Sequence, residues 1–470
     1  MADLSFNRIE GVTTYLNSLT EKDGNVIHCV NVDTYPFGGM TKRLGYSTYL
    51  GTPDNGTVNT LFSWTKNDGT SLFTYRASGS SLYYSAQGTG AWTICGNGTI
   101  GNGAHVSYGT LDNTLVVADG VGSTRHTTNG TAFTDTTLAP VAVDISEYQN
   151  RIYAAGTASS LFYSTTGTAT DWSPTSPSDS SSLFIPGGGK LLKIFKGSDR
   201  LLATKNNLAM YRWDGGDLVD LATHLGPSSP YAIGEVEDFR FWINRLGVFT
   251  SNGGKPQLIS NAVQNQFYND DGTGIAGSVF DTAAGGVHQY NYYVSIGTVT
   301  DNLVGEQISN AVLVYDYKHN DFVNYRFANF PTAYHSYKDA NGVQQLIFGD
   351  ATGQCYTANS GNSDNGVPIE TSMQMVVHAN TPFLSKEWGY IEVMTNPGCE
   401  AKLQVASADT FQAASKKWVE IGNLTNGFSQ FRIPAESARG RLLFIRIYDS
   451  GSTKPFTLYG INLTYNLIAR

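Results

Sequence analysis

The sequence predicts an all-β protein: a β-propeller of about seven blades, with six to eight in range, followed by a C-terminal β-sandwich of jelly-roll type. Three observations lead there. The 470 residues include 51 glycines and 12% aromatics but only 15% charged residues, which suits short strands joined by tight turns. The phrase Ser80-Ser81-Leu82-Tyr83-Tyr84-Ser85 returns as Ser159-Ser160-Leu161-Phe162-Tyr163-Ser164, and the two lead on to Trp92 and Trp172. They begin 79 residues apart, twice a period of about 40 that matches one propeller blade. Finally, the pattern changes beyond Gly366 to strict alternation, as in Ala401-Lys402-Leu403-Gln404-Val405.

Residues 1–52 form an N-terminal segment that carries neither pattern. Within it, Gly38-Gly39-Met40-Thr41-Lys42-Arg43-Leu44-Gly45-Tyr46 reads as a hairpin leading into a strand. The strand 46–50 is the candidate to close the propeller ring by completing its last blade, and 367–377 is the competing one.

Residues 53–362 form the propeller. Its second landmark is a polar turn followed by a short apolar strand. It recurs at Asn113–Val117, Asn150–Ala154, Asp199–Ala203, Asp238–Trp242, Asn291–Val294 and Val343–Phe348, with Thr70–Tyr75 filling the same slot in the first unit. A degenerate copy of the serine-led phrase runs from Arg125 to Thr131 and ends in Phe133. A lone four-stranded sheet cannot bury both faces, whereas radial stacking of such sheets does so. Phe62, Trp64 and Tyr293 are suited to fill the space between blades. The longest insertion, 263–285, leaves room for a divergent unit. A large β-sandwich or a β-solenoid is the other all-β reading.

The stretch Gly361-Asn362-Ser363-Asp364-Asn365-Gly366 reads as a linker, and 363–470 as the sandwich. Arg441–Tyr448 is apolar on both faces and so central to its sheet. A short helix is expected within 406–417.

The net charge is −9, and no basic run exceeds two residues (Lys42-Arg43, Lys416-Lys417), so a phosphate-clamping face is absent from the sequence. No apolar run reaches the roughly 18 residues of a membrane span. The N-terminus lacks the charged head and apolar stretch of a signal peptide. The four dispersed cysteines (Cys29, Cys95, Cys355, Cys399) read as reduced thiols of a chain made in the cytoplasm.

No catalytic, cofactor-binding or metal-binding residue is assigned, and no enzyme activity or cofactor is expected. The eight histidines show no metal-ligand spacing. Gly187-Gly188-Gly189-Lys190-Leu191 has neither the spacing nor the hydroxyl of a phosphate loop and reads as a glycine turn. Asn269-Asp270-Asp271-Gly272-Thr273-Gly274 clusters oxygens but lacks the alternation and terminal glutamate of a calcium loop, so an Asx-rich turn is expected. Ser164-x-x-Gly167 with Trp172 is loosely similar to the aspartate box of sialidase propellers, with Thr166 where the aspartate belongs.

Asn31-Val32-Asp33-Thr34 and the following Gly38–Tyr46 resemble the opening of phage tail proteins, with Leu44 in place of the usual proline. Phe456-x-Leu458-x-Gly460-Ile461-x-Leu463 near the C-terminus is similar to the closing phrase of the same group. With the overall plan, these residues resemble the tail nozzle (tail-tube) proteins of short-tailed, podovirus-like phages. The resemblance implies a virion structural protein of the tail, made in the host cytoplasm. It also implies a homo-oligomeric ring, commonly a hexamer, attached below the portal and adaptor (the head–tail connector) and contacting tail fibre or tail tip proteins. Such a ring retains double-stranded DNA and conducts it during ejection, without reading its sequence. Two other classes stay open: a receptor- or glycan-binding tail propeller, and a propeller glycosidase.

Overall fold

Every turn-plus-apolar landmark of the sequence becomes the second strand of a blade: Leu72–Ser78, Thr114–Ala118, Arg151–Gly156, Leu201–Lys205, Phe239–Asn244, Asn291–Asp301 and Gln344–Gly349. These are the most apolar strands because each has a neighbouring strand on either side and a neighbouring blade over each face. All residues of Leu72–Ser78 and of Leu201–Lys205 are buried. The serine-led repeats form third strands, Ser81–Ala86 and Ser160–Tyr163, with the degenerate copy at Arg125–Thr127.

The computed structural model describes all residues except 1, 7–8, 14–22, 35–37, 52, 70, 87–89, 175–179, 198, 268–273, 302–304, 340, 411–416, 452 and 469–470. Six blades are built from four consecutive antiparallel strands each, over 58–99, 107–135, 142–184, 191–222, 234–258 and 285–326. A seventh has three consecutive strands, Ala333–Lys338, Gln344–Gly349 and Cys355–Ala358, and takes its fourth from the chain's start. That strand, Tyr46–Tyr49, pairs antiparallel with Cys355–Ala358 and joins the two ends of the ring. Aromatic rings fill the gaps between blades. Phe62 stacks on Tyr108 of the second blade at 4.5 Å, and Tyr293 of the sixth on Tyr334 of the seventh at 6.2 Å. The insertion before the sixth blade holds the short helical turns Ser260–Gln266 and Val279–Thr282, and its Phe267 and Phe280 pack into the core.

The sandwich differs from expectation in its membership. One of its sheets combines Lys386–Pro397, Asn426–Arg432 and Thr457–Leu467 with Ala2–Phe6, Val32–Thr34 and Met40–Lys42 from the N-terminal segment. The other is a continuation of the sixth blade. Asp321–Arg326 meets Asn25–Val30 in a parallel pairing at Val30 and Asn324, and the sheet runs on through Glu370–Val377, Leu442–Ser450, Lys402–Ala408 and Val419–Asn423. With Glu10–Val12 paired parallel to Asn25–Val30, ten strands form one sheet shared by propeller and sandwich. The chain crosses repeatedly between the sandwich's two sheets, as a jelly-roll path does. Leu442–Ser450 is central, as its two apolar faces imply.

Two expectations need correction. The stretch 361–366 is not a free linker: Ser363–Asp364 pairs with Tyr46 and with Val367–Pro368 at the rim of the seventh blade. Its main chain is tied to the closing segment there, since the Gly45 amide donates to the Gly361 carbonyl at 2.9 Å and the Asn365 amide to the Tyr46 carbonyl at 2.7 Å. The helix expected within 406–417 is strand as far as Ala408, because alternating Leu403 and Val405 are buried against Ile445 and Ile447. Residues 411–416 lie outside the described ones. No helix among the described residues is long and apolar enough to cross a membrane.

The Lys42-Arg43 dipeptide, read in the sequence only as a short basic run, sits inside this junction. Lys42 pairs with Asp449 at 2.9 Å, both side chains being buried, and Arg43 pairs with Asp364. Asp33 lies close by and accepts a hydrogen bond from the Tyr325 hydroxyl. Burial raises its carboxyl from 3.8 to about 6, against the opposing pull of Tyr325 and Arg43. The folded chain therefore holds this proton more tightly than the unfolded one. The resulting stability is complete below 3.8 and is lost as pH rises through about 6. At roughly 1.4 kcal/mol per pH unit the loss is at most about 3 kcal/mol, less for a carboxyl that keeps some solvent contact. Urea melts of the native chain and of Asp33→Asn across this window are expected to converge at acid pH. At neutral pH the variant is expected to be the more stable, and equal stability there would refute the assignment.

Candidate functional site

The first strands of the seven blades surround the propeller axis and enclose a cavity of about 850 Å³ to which every blade contributes. Neighbouring first strands run parallel, as their cross-blade contacts show. Ser107 donates to Asp144, and Gly109, two residues on, lies against Ile145 and Glu147. Asp144 in turn meets Lys193, and Glu147 meets Lys196. Parallel strands therefore set equivalent residues of successive blades side by side in rungs.

On one side of the cavity the rungs carry charge. Asp144 is buried and accepts from Lys193 Nζ at 2.8 Å, from the Ile194 amide at 2.7 Å and from Ser107. Lys196 Nζ lies 2.6 Å from Glu147, and Arg240 Nε lies 3.4 Å from Glu235. Glu235 has 48% of its side chain accessible, yet burial among the channel walls still raises its carboxyl, with Arg240 and Lys193 pulling the other way. The accessible surface therefore opens on the cavity, where the walls displace most of the water around the carboxyl.

Aromatic and imidazole groups line the rest. His105 stacks on Tyr231, and burial lowers its ring to about 4. Burial lowers His335 likewise to about 4, with Ser63 Oγ 2.8 Å from its Nε2. Both rings are neutral at neutral pH. Tyr290 meets Tyr317 edge-on at 5.7 Å, and the Lys318 ammonium lies 4.9 Å from the Tyr290 ring centre. Among the described residues no group of three or more histidine, cysteine or acidic side chains is placed to hold a metal.

The motifs weighed in the sequence lie elsewhere. In the Gly187–Lys190 turn the carbonyls of Ile185, Pro186 and Gly187 converge on Lys205 Nζ at 2.9, 2.9 and 2.7 Å. The loop thus cages a buried ammonium, the opposite polarity from a phosphate loop, whose amides point inward. Ser164 closes the box-like turn by donating to the Thr168 carbonyl at 2.8 Å and accepting from the Ile152 amide at 3.0 Å. That turn places Trp172 in one buried apolar cluster with Val116 and Ala118 of the second blade, a packing role. Of the stretch 269–274, residues 269–273 lie outside the described ones. All four cysteines are buried, and none forms a disulfide.

Sequence reasoning did not find the cavity lining. A signal was present in the matched spacing of Asp144 and Glu147 with Lys193 and Lys196. It acquires meaning only once the two strands are known to be adjacent and parallel.

No family model and no curated protein sequence matches the chain. Solved structures resemble it in fold. YCF48 from Cyanidioschyzon merolae is 9% identical with a TM-score of 0.44, the match covering 67% of this chain and 98% of that one. BamB from Moraxella catarrhalis is 10% identical with a TM-score of 0.39, covering 71% and 96%. The extracellular domain of the putative one-component system BT4673 from B. thetaiotaomicron is 12% identical with a TM-score of 0.43, covering 90% and 60%. Likeness at this level carries nothing about function.

Proposed function

We propose that the chain is a virion structural protein, a subunit of a phage tail nozzle ring that sits below the portal and adaptor and retains and conducts the genome. The observation that carries this reading is where the nozzle-like N-terminal residues lie. Asn31, Lys42, Arg43, Gly45 and Tyr46 occupy the junction of the sixth blade, the seventh blade and the sandwich. A ring that holds pressurised DNA needs subunits whose parts do not hinge. The shared ten-stranded sheet and the closing strand join propeller and sandwich into such a unit.

The cavity on the propeller axis is too small for a double helix, so in this reading the DNA passes along a lumen between subunits. A ring of six carries −54 formal charges from a chain of −9, which favours repulsion and sliding over adhesion. The portal–adaptor assembly lies on one side of the ring and tail fibre or tip proteins on the other.

Native mass spectrometry of the purified chain, alone and with a candidate portal–adaptor assembly, followed by negative-stain imaging, tests the proposal. A sixfold ring, formed alone or only on the adaptor, is the expected result. A monomer or trimer that ignores the adaptor would count against it.

A further inference from the structure

We infer that the cavity on the propeller axis is a binding site for a short, neutral oligosaccharide. The inference rests on the cavity alone and does not depend on the ring reading.

The volume of about 850 Å³ falls within the range of ligand sites, and side chains from all seven blades converge on it. Its lining carries four carboxylates, Asp144, Glu147, Glu235 and Glu237, against two ammonium groups, Lys193 and Lys196, which pair with the first two. An anion entering here would be repelled by that surplus and would have to break a pair to reach a lysine. A neutral polyol would not. It would instead meet alternating donors and acceptors already held in place, a pattern suited to vicinal hydroxyls, each of which gives one hydrogen bond and accepts others.

Glu235 is the best-placed acceptor. Arg240 Nε approaches one of its oxygens at 3.4 Å, and the other oxygen has no hydrogen-bond partner among the described residues. A carboxylate in such partly desolvated surroundings gains more from a sugar hydroxyl than one in bulk water would. Tyrosines stand at both ends of the cavity. Tyr231 sits level with Gly285, to which its carbonyl is hydrogen-bonded, and Tyr290 follows the far end of the strand Gly285–His288. The two are therefore separated by roughly five residues of strand, or about 17 Å. Tyr231 and Tyr290 are 39% and 53% exposed, leaving ring surface for the apolar face of a pyranose.

The test is saturation-transfer difference NMR on the full chain, with trisaccharides of glucose, galactose, mannose and N-acetylglucosamine as probes and trigalacturonate as the acidic control. Transfer to at least one neutral probe, and not to trigalacturonate, is expected. Glu235→Gln and Tyr290→Ala are each expected to weaken that probe's binding about tenfold or more while leaving the melting temperature unchanged. Tyr459→Ala, on the sandwich surface, is expected to leave binding intact. Transfer to trigalacturonate alone, no transfer to any neutral probe, or binding that survives both cavity variants would overturn the inference.

Discussion

Replacing Arg43 with alanine is expected to cost the folded protein about 3–5 kcal/mol, the usual penalty for removing one partner of a buried ion pair. The side chain is 2% exposed and uses its whole guanidinium. It donates to both Asp364 oxygens at 2.8 and 2.6 Å, to Asn31 Oδ1 at 2.7 Å, and to the carbonyls of Arg326 and Leu44 at 2.7 and 3.0 Å. Its flat face lies 4.7 Å from the Phe327 ring centre. One residue thus ties the N-terminal segment to the sixth blade and to the rim of the seventh. Without it, the buried Asp364 carboxylate keeps, among the described residues, only the weaker 3.3 Å bond from the Ala328 amide. Urea denaturation followed by tryptophan fluorescence measures the loss. Arg43→Lys should recover only part of it, because an ammonium cannot span both oxygens in the forked geometry. Changing Asp364 to alanine as well should cost less than the two single changes added together, since the orphaned charge disappears with it. A loss below about 1 kcal/mol for Arg43→Ala would mean that this junction does not stabilise the fold as argued.

Gly45→Ala is expected to have the second-largest effect, about 3 kcal/mol or more, through crowding rather than charge. A Cβ at this position would lie 1.9 Å from the carbonyl oxygen of Ser363 and 2.5 Å from its carbonyl carbon. Both are main-chain atoms, so no rotamer change relieves the contact. The two segments would have to separate, and they are the ones that close the ring. Gly45 exchanges main-chain hydrogen bonds with Ser360 and Gly361, and the next residue begins the strand that completes the seventh blade. Hydrogen exchange should therefore show early loss of protection in 46–49 and 355–358, with the second to fourth blades little changed. Uniform destabilisation without that local signature would argue against a closure defect.

The propeller was readable because its second strands, buried on both faces, demand apolar residues wherever they fall. The seven turn-plus-apolar landmarks map one to one onto those strands, and the serine-led phrase onto third strands. The closing strand was readable for a related reason: a ring must be joined, and 46–50 was one of two segments with suitable character. The competing stretch 367–377 divides, with Val367–Pro368 at the blade rim and Glu370–Val377 in the sandwich.

What misled was polarity. Gly361–Gly366 has the composition of a linker, but its polar groups are consumed by the rim of a blade. Lys42-Arg43 has the composition of solvated surface, but both cations are buried against carboxylates more than 300 residues distant in sequence, Asp449 and Asp364. The cavity residues were invisible for a third reason. Asp144, Lys193 and Glu235 come from three successive blades, and each by itself is an ordinary charged residue in a short strand.

The sequence by itself determined the class of fold, the repeat, the sites of the buried strands and the change of architecture near residue 366. All of these follow from local alternation and turn chemistry, which neighbouring residues impose on one another. Only the tertiary structure decided that the N-terminal strands belong to the sandwich, that one sheet spans both units, and that matched charges meet on the axis. These depend on pairings between residues far apart in the chain. Hydrophobic pattern makes a strand pair somewhere, but the partner is chosen by the packing of the whole.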